Sequence, residues 1–287
     1  MKTHRALAII LFSVAASCTA ADIDPTFIRR SLASAADAPS DLTTQTCRYQ
    51  PLFGAGDRQA KPLKSVARYG QVTVAGGGAC RPVEYGGEEQ IYFVLEGTGT
   101  LLYAGSKFPL KKDDFVYLPA GVEHTLAGGS GALRVIWMGF RIPAGTVPVP
   151  AGAPAIANLA DVPKQVVGNH PPSTLYQLMI GDRSSKRDKI AAGLSVSSLF
   201  VMEFTAGGTN APHHHEREEE VYLLLDGAGE MVAGGGMDGI EGRFPAKAGD
   251  AYFYRLNTTV GFYNAPGGAK AHILAVRSAL APPKSKQ

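Results

Sequence analysis

Two parts of the chain repeat each other, and this repeat constrains the fold more than any other feature. Residues 88–99 read EEQIYFVLEGTG and residues 218–229 read EEEVYLLLDGAG, at an offset of 130 positions. Residues 111–124 and 247–260 match again at an offset of 136, so the second copy carries six extra residues in a glycine-rich hairpin tip. Both copies consist of short β-rich runs that end at glycines. The repeat therefore predicts a duplicated all-β fold.

The composition agrees with this interpretation. The chain has 287 residues, of which 45% are hydrophobic, and it contains Gly 34 and Pro 19. This length accommodates two domains, and the glycine and proline content favours turns and short strands over long helices. We predict one short helix within residues 24–36 (DPTFIRRSLASAA), because a proline near its first turn precedes good helix formers. Residues 143–157 are rich in Pro, Ala and Gly without periodicity, which indicates a linker.

The N-terminus resembles an export signal. Lys2 and Arg5 precede an apolar run that is too short to span a bilayer, and small residues follow it. We predict a signal peptide over residues 1–21, hence a secreted or periplasmic protein. The sequence AASC also resembles a lipoprotein cleavage site, which would anchor the protein through Cys18. Cys47 and Cys80 would then remain, either as a disulfide or as two buried thiols.

Charge and motifs exclude several classes of function. Without the signal peptide, 26 basic residues face 25 acidic ones, so the chain lacks the basic character of nucleic-acid-binding proteins. No later segment is apolar enough for a membrane span. The sequence contains no nucleophile-elbow, P-loop or dinucleotide-binding motif. We therefore expect a small-molecule ligand or substrate as the partner.

The segment from Gly207 to Gly227, GGTNAPHHHEREEEVYLLLDG, predicts a metal site. Alternate residues of a strand share a face, so His213 and His215 are expected to point the same way and His214 the opposite way. Glu220, at the start of the returning strand, would lie opposite the two imidazoles. Two imidazoles and one carboxylate suit Fe(II), Mn(II), Zn(II), Ni(II) or Cu(II) and leave coordination positions open.

This segment resembles the first motif of the cupin family, G-x5-H-x-H-x(3,4)-E-x6-G. Gly207, His213, His215, Glu220 and Gly227 match it at every spacing. The resemblance covers both repeats, roughly residues 60–282, and implies two tandem jelly-roll barrels, a bicupin. It also implies a monomer or a homodimer of such barrel pairs.

The second cupin motif, G-x5-P-x-G-x2-H-x3-N, is divided between the repeats. In the second repeat Val260 occupies the position of the histidine that usually supplies a fourth ligand. The first repeat keeps that histidine, His124, but has Val83, Tyr85 and Gln90 at the ligand positions of the first motif. The resemblance therefore implies a metal site with three protein ligands in the second barrel and none of the usual kind in the first.

Several alternatives remain open at this stage. Glu219 replaces Glu220 if the shorter spacing applies, and His170 or His272 could fill the vacant ligand position. Glu216, Glu218 and Glu219 are expected to be solvent-facing turn charges. A metal-free polar pocket in the first barrel would be formed by Tyr85, Gln90 and His124. Candidates for the substrate pocket of the second barrel are Tyr252, Tyr254, Val260 and Phe262.

The resulting hypothesis is an exported bicupin that is a metal-dependent enzyme, with a dioxygenase as the first choice. The alternatives are a non-catalytic ligand-binding cupin and a cupin isomerase, decarboxylase or lyase, because a fold does not fix a reaction. The predicted organisation is a signal peptide (1–21), an N-terminal helix and extended arm (22–63), a first barrel (64–142), a linker (143–157), a second barrel (158–280) and a tail (281–287).

Overall fold

A computed structural model describes residues 26–58, 60–146, 152–235 and 241–280. The predicted signal peptide, Cys18 and the predicted tail therefore lie outside the described residues. Within them, none belongs to a helix long and apolar enough to cross a bilayer. The strands are β1 (Phe27–Ser31), β2 (Cys47–Gly54), β3 (Val66–Val74), β4 (Glu88–Glu96), β5 (Thr98–Tyr103), β6 (Ser106–Lys111), β7 (Asp114–Leu118), β8 (His124–Gly128), β9 (Leu133–Arg141), β10 (Ala155–Asn158), β11 (Lys164–Gln165), β12 (Thr174–Asp182), β13 (Ile190–Gly193), β14 (Val196–Phe204), β15 (Glu218–Asp226), β16 (Ala228–Gly234), β17 (Glu241–Lys247), β18 (Asp250–Tyr254), β19 (Thr259–Asn264) and β20 (Ala271–Ala279), and a single 3₁₀ turn covers Leu159–Asp161.

Each repeat forms a large sheet facing a small one, so the predicted all-β fold of two barrels is confirmed. The first barrel pairs a sheet in the order β10-β7-β4-β9-β3-β2 with a sheet in the order β6-β5-β8. The second pairs a sheet in the order β1-β18-β15-β20-β14-β12-β11, with β13 beside β12, with a sheet in the order β17-β16-β19. Nearly all strand pairs are antiparallel, which is the arrangement of a jelly roll.

The two barrels stack through their large sheets. In β4, Tyr92 and Val94 pack inside the first barrel, whereas Ile91 and Phe93 belong to a core shared by both barrels. The equivalent strand β15 divides its residues in the same way between the second barrel and the shared core. Both faces of these strands are buried, which explains why they are continuous hydrophobic runs rather than alternating ones.

Each barrel also receives a strand from the segment that precedes the other. Strand β1 lies N-terminal to the first barrel but pairs with β18 of the second, and β10 lies before the second barrel but pairs with β7 of the first. The structure does not show the predicted N-terminal helix, because the edge of β18 offers unpaired backbone groups and Ile28 buries its side chain in the shared core. Tertiary pairing here overrides the weak local preference for helix. Likewise, the predicted linker ends in a strand rather than in irregular chain.

Two buried glutamates, Glu89 and Glu219, join the barrels at equivalent positions. Glu219 accepts backbone N–H groups from Lys64, Ser65 and Val66, at 2.6, 2.7 and 3.3 Å. The expectation that Glu219 is a solvent-facing charge is therefore wrong: its exposed fraction is 1%. The sequence shows it in an acidic run, but it is the second residue of β15 and lies on the face that meets the first barrel.

Candidate metal centre

The three adjacent histidines lie in the loop between β14 and β15. The backbone of His213 exchanges two hydrogen bonds with Val260 of β19, at 3.0 and 2.8 Å. This bridge fixes the orientation of the loop, so that His213 and His215 face the barrel interior and are half-buried while His214 is exposed. The alternation that the sequence predicts for these three residues is the one that the structure has.

His213, His215 and Glu220 converge on one point. Each offers one ligand atom, and these atoms lie within 4.8 Å of one another. Glu220 is 2% exposed, and its Oε2 lies 3.2 Å from Nε2 of His215. Neither of these two atoms has a hydrogen-bond partner among the described residues, although both are buried. Buried polar atoms nearly always have a partner, so a bound cation would account for this pair.

Backbone contacts prepare His213 as a ligand. Its Nδ1 lies 2.9 Å from the carbonyl oxygen of Ala211, which can only accept, so Nδ1 carries the proton and Nε2 keeps its lone pair. Burial lowers the pKa of His213, although this hydrogen bond and Glu220 oppose the shift. Burial therefore favours a neutral imidazole, and the hydrogen bond at Nδ1 leaves Nε2 free to coordinate.

A cavity of about 200 Å³ adjoins the three residues. The predicted pocket residues Tyr252, Tyr254, Val260 and Phe262 do not line it and instead fill the core of the barrel. For Tyr252 and Tyr254 the reason is the position of their strand: β18 lies on one side of β15, whereas the cavity lies on the other side, over β20, β14 and β12. Val260 and Phe262 belong to β19 of the small sheet. The wall of the cavity consists of Val167, His170, Tyr176, Leu178, Arg187, Phe200, His213, His215, Glu220, Tyr222 and Arg277.

Arg277 is the main residue that sequence reasoning missed. It lies on β20 directly opposite Glu220, and its Nη1 is 3.4 Å from Glu218. Its Nε is buried and has no hydrogen-bond partner among the described residues. The signal was an arginine within the otherwise apolar β20 sequence AHILAVRSA, because a cation in a buried strand requires a polar partner or a ligand.

The position of the usual fourth ligand is apolar. Val260 is 1% exposed and belongs to the core. His272 does not replace it, because its ring nitrogens contact Glu203 and Asp226 away from the cavity. His170 does line the cavity, and the centroid of its ring lies 5.1 Å from that of His213.

In the first barrel, the equivalent pocket is filled by its own side chains. Val83 and His124 form the same backbone bridge as His213 and Val260. Gln90, at the position of Glu220, accepts a hydrogen bond from Trp137 Nε1 and donates one to Glu88. The second barrel has Ala275 at the position of Trp137. In the first barrel the larger indole side chain therefore fills space that is part of the cavity in the second barrel.

Arg68 completes this network in the first barrel. Its guanidinium forms a two-pronged ion pair with Glu88, at 2.9 and 3.0 Å, and lies 4.1 Å from the ring centroid of Tyr85. His124 is 2% exposed and donates Nδ1–H to Val122, and burial lowers its pKa. Tyr85, Gln90 and His124 therefore lie close together, but as a packed cluster rather than as an open pocket.

The family and the solved structures that this chain resembles have the same kind of fold. The cupin domain family (Cupin_2) matches residues 70–139 and 200–277. No curated protein matches the chain in sequence. Among solved structures, a Pseudomonas aeruginosa protein described as glyoxylate-induced is 16% identical, with 93% of this chain and 96% of that chain covered and a TM-score of 0.70.

Two oxalate decarboxylases are also similar in structure. The Lactobacillus farciminis enzyme, solved as a formate complex, is 14% identical over 88% of this chain and 86% of its own, with a TM-score of 0.63. The Bacillus subtilis enzyme, which has Mn(II) centres, is 12% identical over 89% of this chain and 78% of its own, with a TM-score of 0.64. At these identities the similarity shows a shared fold with two barrels.

Proposed function

Because the chain belongs to the cupin family, with two copies of the cupin domain, we propose that its second barrel binds a divalent metal ion and that the protein is an enzyme acting on a small carboxylate. The ligands are His213, His215 and Glu220. The observation that carries this proposal is the buried pair of Nε2 of His215 and Oε2 of Glu220, which lie 3.2 Å apart and have no hydrogen-bond partners in the part of the chain that the structure describes. Removing a carboxylate from water without a cation or donor costs several kcal/mol.

The ligand set suits Mn(II), Fe(II), Ni(II), Cu(II) or Zn(II). The Mn(II) centres of the similar Bacillus subtilis enzyme support manganese as the first ion to test. A bound ion would supply Lewis acidity and, if it is redox-active, a site for dioxygen. The protein's own part is to hold neutral imidazoles, to keep the site small and to position the substrate.

The charges around the cavity favour an anionic substrate. Arg277 lines the cavity, and its buried Nε has no hydrogen-bond partner among the described residues, while Arg187 adds a second cation at the wall. An arginine fork matches a carboxylate in geometry and charge. The cavity volume of about 200 Å³ is below the roughly 300–1,000 Å³ of pockets for drug-sized ligands, so the substrate is small.

Two reactions fit this site. The first is oxygen-dependent oxidation of the carboxylate, because two imidazoles and one carboxylate leave open positions on a redox-active ion. The second is redox-neutral cleavage, such as decarboxylation, which the similarity to two oxalate decarboxylases favours. Oxygen consumption distinguishes the two, since only the first reaction removes dioxygen in proportion to product.

We also propose that the protein is exported. A disulfide joins Cys47 of β2 to Cys80, with Cα atoms 4.9 Å apart, and such bonds persist in oxidising compartments. The test is the mass of the protein from the cell envelope. Loss of about the first 21 residues supports a cleaved signal peptide, a diacylglycerol adduct on Cys18 supports a lipoprotein, and an intact N-terminus in the cytoplasm contradicts export.

The experiment for the enzyme proposal is a metal-loaded assay. Protein without a histidine tag is loaded with Mn(II) or Fe(II) and incubated with short mono- and dicarboxylates, with and without oxygen. Turnover that is lost in both His213→Ala and Arg277→Leu supports the proposal. Carboxylate binding without turnover supports a ligand-binding protein instead. The control is His214→Ala, because His214 is adjacent but exposed.

A further inference from the structure

The second barrel has lost its usual fourth ligand at Val260, yet another histidine stands beside the site. His170 belongs to the segment that connects β11 to β12, outside both cupin motifs. It lines the same cavity as His213, His215 and Glu220. The centroid of its ring lies 5.1 Å from that of His213, and the centroid of His215 lies 4.9 Å from that of His213.

These spacings are those of imidazoles that share one ion. With each nitrogen about 2.1 Å from the ion, ligand–metal–ligand angles of about 90–120° place ring centroids about 4.5–5.5 Å apart. The ring centroids of His170 and His215 therefore both lie at coordination spacing from that of His213, although among the described residues the group whose ligand atoms lie within 4.8 Å of one another comprises His213, His215 and Glu220. The rings of His170 and His215 also meet that of His213 edge-on, with interplanar angles of 64° and 86°, rather than as a stacked pair.

The backbone orients His170 and His213 in the same manner. Nδ1 of His170 contacts the carbonyl oxygen of Asn210, and Nδ1 of His213 contacts that of Ala211. A carbonyl oxygen only accepts hydrogen bonds, so both rings carry their proton on Nδ1. In both rings the lone pair of Nε2 is therefore free to bind a metal ion.

Buried hydrogen bonds hold the loop that supplies these two carbonyls. Asn210 is fully buried, with its side chain bonded to the hydroxyl of Tyr222 and to the amide of Phe262. Ala211 has a φ of 54°, a left-handed conformation that is costly for a residue other than glycine. Such strain persists where surrounding structure holds it, and here it directs two consecutive carbonyls to two different imidazoles.

We infer that His170 is the fourth ligand of the metal in the second barrel, bound through Nε2. It takes the role of the second-motif histidine from a different segment of the chain. The site then has three imidazoles and one carboxylate, and the segment between β11 and β12 contributes directly to it. This inference rests on the proposed metal site.

The test counts coordinated imidazoles. Apoprotein is loaded with one equivalent of Cu(II), and electron spin echo modulation from the remote ring nitrogens is recorded. We expect three imidazoles in the wild type and two in His170→Ala, with Mn(II) affinity at least about 10-fold lower in the variant, as expected for loss of a contact at a metal centre. His170→Phe is a second variant, since it keeps ring packing against Tyr176 and removes the nitrogens. His214→Ala is the matched control and should retain three.

The outcomes separate the two proposals. Two imidazoles in both the wild type and His170→Ala would overturn the assignment of His170 and leave the three-ligand site in place. Failure of the wild type to bind Cu(II), Mn(II) or any other divalent ion tested would overturn the metal site itself, and the role of His170 with it.

Discussion

Glu89 and Glu219 occupy equivalent positions in the two barrels, and each carboxylate accepts three backbone N–H groups from the other barrel. Glu89 binds the amides of Leu194, Ser195 and Val196, each at 2.7 Å. Since Glu219 binds the amides of residues 64–66, the two contacts are related by the same offset of 130 as the sequence repeat. Two buried carboxyl groups therefore link the barrels at pseudo-twofold-related positions.

Glu219→Gln is expected to lower the free energy of unfolding by about 2–4 kcal/mol. A glutamine keeps one acceptor oxygen but turns an NH₂ group toward amide donors, so buried donors lose their partner. Chemical denaturation monitored by the fluorescence of Trp137 measures the change. Glu216→Gln is the control, because Glu216 is exposed. Equal stability of the two variants would show that the contact contributes nothing.

The acid sensitivity of the second barrel is expected to depend on Glu203. Burial would raise the pKa of this carboxyl, but hydrogen bonds from Lys164, Lys270 and His272 lower it to about 2. A depressed pKa contributes stability above the unfolded-state value near 4.5, and the contribution is lost as the pH falls from there toward 2. Because both lysines are half exposed, solvent screening limits the effect to about 1–2 kcal/mol.

The measurement for this cluster is unfolding free energy against pH for the wild type and Glu203→Gln. The wild type should lose more stability than the variant between pH 5 and pH 2. Parallel curves would contradict the assigned pKa. The comparison also tests the structural role of His272, which contacts Glu203 rather than the metal site.

Val260→His tests how the coordination sphere is completed. If His170 is a ligand, the substitution should change Mn(II) affinity little in the otherwise wild-type protein, because His170 already occupies the fourth coordination position. In the His170→Ala background it should recover about 10-fold or more in affinity. Thermal unfolding of each apoprotein checks that the larger side chain is tolerated in the core. A large gain in the wild-type background would indicate that the fourth position is vacant.

The first barrel is expected to bind no metal. Gln90 is bonded to Trp137 and Glu88, and Arg68 covers Tyr85. Among the described residues, no group of three metal-ligating side chains lies in this equivalent pocket. His124→Ala should therefore leave the metal content at one ion per chain. If the wild type held two ions per chain and this variant held one, the first barrel would bind a metal, contrary to this prediction.

Much of the fold follows from the sequence. The repeat predicts two all-β units, and the spacing of His213, His215 and Glu220 predicts a group that the structure brings within 4.8 Å. The alternation of His213, His214 and His215 follows from extended backbone geometry, which the bridge between His213 and Val260 provides outside the named strands. These features depend on the spacing of nearby residues or on the internal repeat, and both can be recognised in a single sequence.

The remaining features depend on contacts between distant segments. Strand β1 forms only because the edge of β18 accepts it, and nothing within residues 24–36 indicates that partner. The burial of Glu219 depends on amides 153–155 residues away. The cavity wall combines residues of four strands with residues of connecting segments, including the segment that carries His170. Its composition can therefore be predicted only when the order of the strands in the sheet is known.

Metal content of the protein purified without a histidine tag tests the central claim most directly. Apoprotein is incubated with Mn(II), Fe(II), Ni(II), Cu(II) or Zn(II), dialysed and analysed by inductively coupled plasma mass spectrometry. We predict about one ion per chain in the wild type and in His214→Ala, and almost none in His213→Ala and Glu220→Gln. No retained metal in the wild type, or equal retention in all four proteins, would contradict a metal centre at His213, His215 and Glu220.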